Sequence, residues 1–203
     1  MRRLIVGATL AAALVWAGAA AAGEATDRVR AVIDAVLAIQ NDPALQGPQH
    51  DERRTAEVRR TIGESFNFGE MARLSLGREW EKLGPAQRKD FAEVLQDLFV
   101  DSYSKLVLNF LKRENIKYGA ETAQGDAALV KTVIERLARE QIPVDYRLLR
   151  AGDRWDMYDV VIDGVSIVEN YRSQFTKIIR TNSFETLITK MKIKREEVVP
   201  TKR

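Results

Sequence analysis

The residues able to do chemistry in this chain are few. There is one histidine, His50, and no cysteine, so nucleophilic thiol chemistry, disulfides and thiolate–metal sites are excluded. His50 lies in a polar stretch between two helical patterns, with no Ser–Asp arrangement beside it, and reads as a solvent-exposed structural residue. One histidine without cysteine is a poor donor set for a transition metal. Asp156 and Asp159 stand at alternate positions before an Asp-Gly pair, and paired carboxylates can perform general acid–base work. At that spacing on a strand they read instead as surface charges or hydrogen-bond anchors. Arg53, Arg54, Arg59 and Arg60 could form an anion site, but Asp51, Glu52, Glu57 and Glu64 alternate with them, which describes a solvated helix face. Phosphate-loop, dinucleotide and nucleophile-elbow motifs are absent from the sequence. The chain therefore reads as a non-enzyme without a cofactor or resident metal.

Composition supports a packed domain: 45% apolar, 30% charged, and five prolines in 203 residues. Lys+Arg number 32 against 29 Asp+Glu. Residues 1–22 open with Arg2 and Arg3, continue as an apolar run over 4–17 and finish in small residues at 20–22, the pattern of a cleaved secretory signal peptide. Cleavage leaves 30 cationic against 29 acidic side chains and no concentrated basic face for nucleic acid. The expected organisation is a signal peptide over 1–22, one α+β domain over 23–197 and a disordered basic tail over 198–203, with fraying from 192 onward.

Stepping along the chain, residues 26–40 carry Val29, Val32, Ile33, Val36 and Leu37 on one helical face. Residues 51–64 form a second, mostly polar helix. Asn67 caps a short helix bearing Phe68, Met71, Ala72 and Leu74 that ends near Gly77. Pro85 opens a long helix over about 86–112 whose apolar face widens toward its C-terminal end. The period then changes to two: 116–121, 129–136, 142–150 and 155–162 read as four strands joined by short turns, an antiparallel meander. Trp80 packs in the connection before Pro85, and Asn182-Ser183 breaks and recaps the helical pattern that follows the strands.

That last transition organises the rest. In residues 155–175, WDMYDVVIDGVSIVENYRSQF, strand turns to helix within a few positions. Asp163-Gly164 supplies the turn, and Ser166 with Glu169 reads as a capping box. Ile167, Val168, Tyr171, Phe175, Ile178 and Ile179 then recur at helical spacing. Composition alone favours a filled core beneath these faces over a cavity.

The same stretch resembles the signature of the MlaC family, the toluene-tolerance auxiliary proteins, and 66–80 (FNFGEMARLSLGREW) followed by Gly84-Pro85 is a second matching block. The resemblance covers nearly everything after the first 25 residues. It implies a curved, helix-wrapped antiparallel sheet enclosing a phospholipid pocket at or above the upper end of the usual ~300–1,000 Å³ range. It implies a monomeric periplasmic carrier that shuttles phospholipid between an inner-membrane ABC transporter complex with an MCE-type subunit and an outer-membrane lipoprotein–porin complex, maintaining outer-membrane lipid asymmetry. A hopanoid or other polycyclic-lipid carrier, and a ligand-free protein-binding adaptor, remain as alternatives. Asp159, part of the signature, is expected to bond backbone near the 163–166 turn. Apolar period and the two family blocks together nominate Leu74, Phe99, Tyr103, Leu106, Phe110, Tyr146, Met157, Val161, Val165, Val168, Tyr171 and Phe175 as lipid-binding. Arg172 and Gln174 are expected at the helix surface, contacting partners or bracing the fold.

Overall fold

A computed structural model describes residues 23–110, 115–135 and 140–198. The signal-peptide reading and residues 199–203 of the tail lie outside them. Among the described residues, six α-helices pack around one antiparallel sheet of strand order β1-β2-β3-β4-β5. Among the described residues, no helix is long and apolar enough to cross a membrane.

α1 (Glu24–Asn41) buries Val29, Val32, Ile33 and Val36, the stripe its sequence period prescribes. Its N-terminus is held by Glu121 of β1 (Asn115–Gln124), whose carboxylate accepts from Gly23 N at 2.9 Å, Thr26 N at 2.8 Å and Thr26 Oγ1 at 2.5 Å. Burial works to raise the Glu121 pKa, but these donors outweigh it and the pKa is lowered. A carboxylate at a helix N-terminus also complements the helix dipole. Glu121→Gln is expected to cost about 1–2 kcal/mol at neutral pH. Because the folded pKa lies below the unfolded one, this contribution is complete above the ordinary glutamate range and disappears as pH falls through the lowered folded value. Urea melts of both proteins at neutral and acid pH should therefore converge in acid.

Two single 3-10 turns, Pro43–Leu45 and Pro48–His50, lead into α2 (Asp51–Gly63). α3 (Phe68–Leu76) starts where Asn67 accepts from Glu70 N at 2.9 Å and stops at Gly77, with φ of 56°. Trp80 lies in the 3-10 segment Gly77–Lys82, packed against the helical core with Arg88 over its ring at 5.3 Å. α4 (Pro85–Phe110) carries Pro85 at its first position, where the missing N–H is no loss. At 26 residues it runs about 39 Å.

β1, β2 (Ala127–Glu135), β3 (Gln141–Ala151) and β4 (Arg154–Ile162) pair in sequence order, as the short links require. The meander has a fifth strand that the sequence reading missed: Val165 and Ser166 turn back to pair with Ile162 and Val161. Asp163 (φ 49°) and Gly164 (φ 79°) are both left-handed, as a two-residue type I′ hairpin demands, so the turn is also a ladder. α5 (Ile167–Thr181) follows at once. α6 (Phe184–Val198) begins after Ser183, whose Oγ accepts from Thr186 N at 3.2 Å.

α6 corrects the expected fraying from residue 192. Arg195 in its last turns bonds Asp97 at 2.8 Å and the buried Asp101 at 3.0 Å. Asp101 also pairs with Arg59, which therefore leaves the solvated face assigned to its helix and ties α2, α4 and α6 together. Of the other arginines there, Arg54 pairs with Asp51, and Arg60 with Glu57 and Glu64.

Candidate functional site

Two apolar clusters make the interior. One joins α2 through α6 with the ends of β3 and β4; the other sets α1 against β2–β4, around Val29, Val130, Leu148, Trp155 and Met157. Between them lies an apolar cavity of about 310 Å³. α1 gives it Val29, Val32, Ile33 and Val36; α2 gives Ile62; α4 gives Phe99, Tyr103, Leu106 and Val107. The sheet contributes Ile134, Ile142, Val144, Tyr146, Met157, Val160 and Ile162, and the start of α5 contributes Ile167. Phe66 completes the wall because residues 65–67 run beside β4: Asn67 N donates to Met157 O at 2.7 Å and Met157 N to Ser65 O at 3.1 Å.

Of the nominated residues, Phe99, Tyr103, Leu106, Tyr146 and Met157 are at the cavity wall. Phe110 is the last position of α4, and its side chain lies outside the described residues. The other six are elsewhere. Val161 sits between the wall residues Val160 and Ile162 and so takes the opposite face of β4. Val165, 60% exposed, is in the two-residue β5. Val168 and Phe175 are buried in the helical core, where Phe175 meets Phe91 edge-on at 5.8 Å and stacks on Tyr171 at 5.2 Å. Leu74 packs against the same core from α3. Only the first turn of α5 reaches the cavity, and its apolar stripe then turns to the neighbouring helices. The four α1 residues at the cavity wall are not among those nominated from the sequence. Their amphipathic period was visible, but neither family block includes them.

The cavity is smaller than the resemblance implied, because valines and isoleucines of α1 close over the sheet. Its polar side chains are two tyrosines. Burial pushes the Tyr146 phenol pKa up, the nearby Tyr118 adds to this, and a bond to the Thr132 hydroxyl partly offsets it. Burial likewise raises Tyr103, against a hydroxyl bond to Tyr171 that lowers it. Tyr103 stacks on Phe99 with centroids 4.6 Å apart.

Beside the cavity, Asp159 organises the strand-to-helix transition. It is fully buried and accepts from Ser166 Oγ at 2.6 Å, Val168 N at 3.1 Å and Arg147 Nη1 at 3.0 Å. Ser166 Oγ in turn accepts from Glu169 N at 3.1 Å. The expected cap is present, but the reciprocal half of the box is not: Glu169 is exposed and faces Arg172 at 3.6 Å. A Ser–Asp contact also suggests an activated nucleophile. Here the serine proton is committed to Asp159, its lone pair to the helix, and its side chain is buried, so the pair serves the fold. Asp156 is buried as well, between Arg28 and Arg154. Among the described residues, no cluster of His, Cys, Asp or Glu could hold a metal ion. Arg172 and Gln174 are exposed; Arg172 lies against Gly77, where an added Cβ would come within 3.2 Å of Nε, and Gln174 bonds Asn170 at 2.9 Å.

Comparisons with known proteins match this architecture. The intermembrane phospholipid transport system binding protein MlaC of Haemophilus influenzae is 25% identical over 121 residues, which cover 57% of this chain and 56% of that protein. The match thus spans little more than half of the relative's length. A phospholipid-binding protein from Ralstonia solanacearum, solved in complex with a phospholipid, superposes with a TM-score of 0.74 at 22% identity, over 86% of this chain and 98% of that one. This likeness shows the fold, a mixed arrangement of helices around an open antiparallel sheet. The sequence model of the MlaC protein family matches residues 30–193, and the chain belongs to that family.

Proposed function

We propose that the protein is a periplasmic phospholipid carrier, exported through a cleaved signal over residues 1–22. The observation that carries this reading is the apolar cavity at the seam between the two core clusters. A diacyl lipid exposes roughly 30 methylene and methyl groups, each costing about 0.8 kcal/mol in water, so carriage needs a wall that replaces that burial. A wall with no charged side chain suits acyl chains and leaves a head group outside. At about 310 Å³ the cavity takes part of two chains, so loading widens it between α1 and α4. In this role the protein collects and delivers lipid at an inner-membrane ABC transporter complex with an MCE-type subunit and an outer-membrane lipoprotein–porin complex. It supports outer-membrane lipid asymmetry by burial and release, without catalysis or cofactor.

The test is mass spectrometry of lipid extracted from protein purified from the periplasm. Phospholipid in near-equimolar amount is expected. A polycyclic lipid in its place would make this a carrier of another cargo, and protein without extractable lipid would reverse the reading in favour of an adaptor.

A further inference from the structure

Gln40 is the last buried residue of α1, and half of its amide is unmatched. Its Nε2 donates to Val107 O at 3.0 Å in the last turn of α4. Its Oε1 is buried and, among the described residues, has no hydrogen-bond partner. A buried acceptor without a donor is costly, and turning the amide over would set two oxygens face to face. Gln40 lines a polar pocket of about 340 Å³ together with Asn41, Gln46, Asp51, Arg54 and Leu108. The donors of this pocket are turned to the protein. Asn41 Nδ2 bonds Leu37 O at 2.8 Å, Gln46 Nε2 bonds Gln40 O at 2.7 Å, Arg54 Nη1 bonds Leu45 O at 2.7 Å, and Arg54 Nη2 pairs with Asp51. What the lining offers a ligand is therefore chiefly acceptors: amide oxygens, and a carboxylate with lone pairs beyond the one given to Arg54.

This pocket adjoins the apolar cavity. Val36, one helical turn or about 6 Å before Gln40, is in the cavity wall. So is Val107, whose carbonyl Gln40 bonds, while its neighbour Leu108 lines the polar pocket. Leu106 lines the cavity yet is 42% exposed, which puts the opening at the same end of α4. A lipid with its chains in the cavity thus meets these acceptors where its polar end emerges. The group that suits them carries several N–H donors and a positive charge for the carboxylate, which describes a primary ammonium. Resting on the carrier reading, we infer that the pocket beside Gln40 is a head-group site, in which Gln40 Oε1 and the Asp51 carboxylate accept hydrogen bonds from the ammonium of an ethanolamine phospholipid. The carrier then prefers ethanolamine to choline head groups on the same chains.

The protein is exchanged against vesicles holding palmitoyl-oleoyl phosphatidylethanolamine and phosphatidylcholine in equal amounts, re-isolated, and its extracted lipid quantified. The two lipids share chains and charge and differ in the N–H groups. One hydrogen bond gives an expected ethanolamine preference of roughly three- to tenfold. Gln40→Met keeps the side-chain length and removes the acceptor, and the ratio of the two lipids is expected to fall toward one, whatever total the variant binds. Wild-type protein with no preference, or a Gln40→Met protein with undiminished preference, overturns the inference while leaving the carrier reading intact. Protein that takes up neither lipid overturns the carrier reading, and this inference with it. If Gln40→Met does not fold, Asp51→Asn at the exposed start of α2 serves: losing the charge is expected to lower the ratio, and a ratio equal to that of the wild type overturns the inference.

Discussion

Asp159→Ala is expected to lower the unfolding free energy by about 3–5 kcal/mol: the loss of charge-assisted hydrogen bonds worth roughly 1.5–3 kcal/mol each, offset in part by the relief of desolvating the carboxylate. Three donors converge on this carboxylate, and two of them, Ser166 Oγ and Val168 N, belong to the first turn of α5. Without it, both are left buried and short of a partner. Arg147 is partly exposed and can return to water, so the ion pair is the smallest part of the loss. Asp159→Asn keeps an acceptor for Val168 N and loses the charge, and should fall between alanine and wild type. Ser166→Ala removes the cap alone and should cost about 0.5–2 kcal/mol. The order Asp159→Ala, Asp159→Asn, Ser166→Ala in urea midpoints is the measurement. An Asp159→Ala protein no weaker than Ser166→Ala would show that the carboxylate does not hold the strand-to-helix transition.

How far the sequence reveals this molecule depends on which kind of signal each residue carries. The strand-to-helix turn was legible because its chemistry is local: an Asp-Gly pair, a serine cap and a carboxylate within ten positions. β5 was not, since two residues have no period, and only the ladder shows that a turn has become a hairpin. The cavity wall was legible by halves. Met157 and Val161 share a face of any regular strand, and both were nominated on that count. A bulge opposite the step from Arg147 to Leu148 leaves Tyr158 unpaired, shifting the phase so that Met157 shares its face with Val160 and Ile162 instead. One extra residue thus moves Val161 off the wall, and no hydropathy pattern records it. α5 errs differently: a single broad apolar stripe serves the cavity for one turn and the helical core for the remainder. Which neighbour a stripe meets is a property of packing, and the long-range position of α1 over the sheet is of the same kind.

The wall assignment makes a paired prediction. Val160→Trp is expected to give a folded protein that holds at least tenfold less phospholipid, whereas Val168→Trp is expected to be destabilised by about 1–3 kcal/mol with its lipid retained. Both valines are buried, at 8% and 3% exposure, so burial does not distinguish them. What differs is the space before them. Val160 faces the cavity, and an indole there extends into volume that acyl chains would occupy. Displacing only two methylene groups costs about 1.6 kcal/mol of lipid burial, already more than tenfold in affinity, and an indole in about 310 Å³ displaces more than two. Val168 stands in the cluster with Phe91 and Phe175, where added bulk meets packed side chains and forces them from their rotamers. Quantified lipid extraction beside a thermal melt reads both variants. A Val160→Trp protein with full lipid would remove β4 from the lipid path, and a Val168→Trp protein that is stable but empty would return the path to the face of α5.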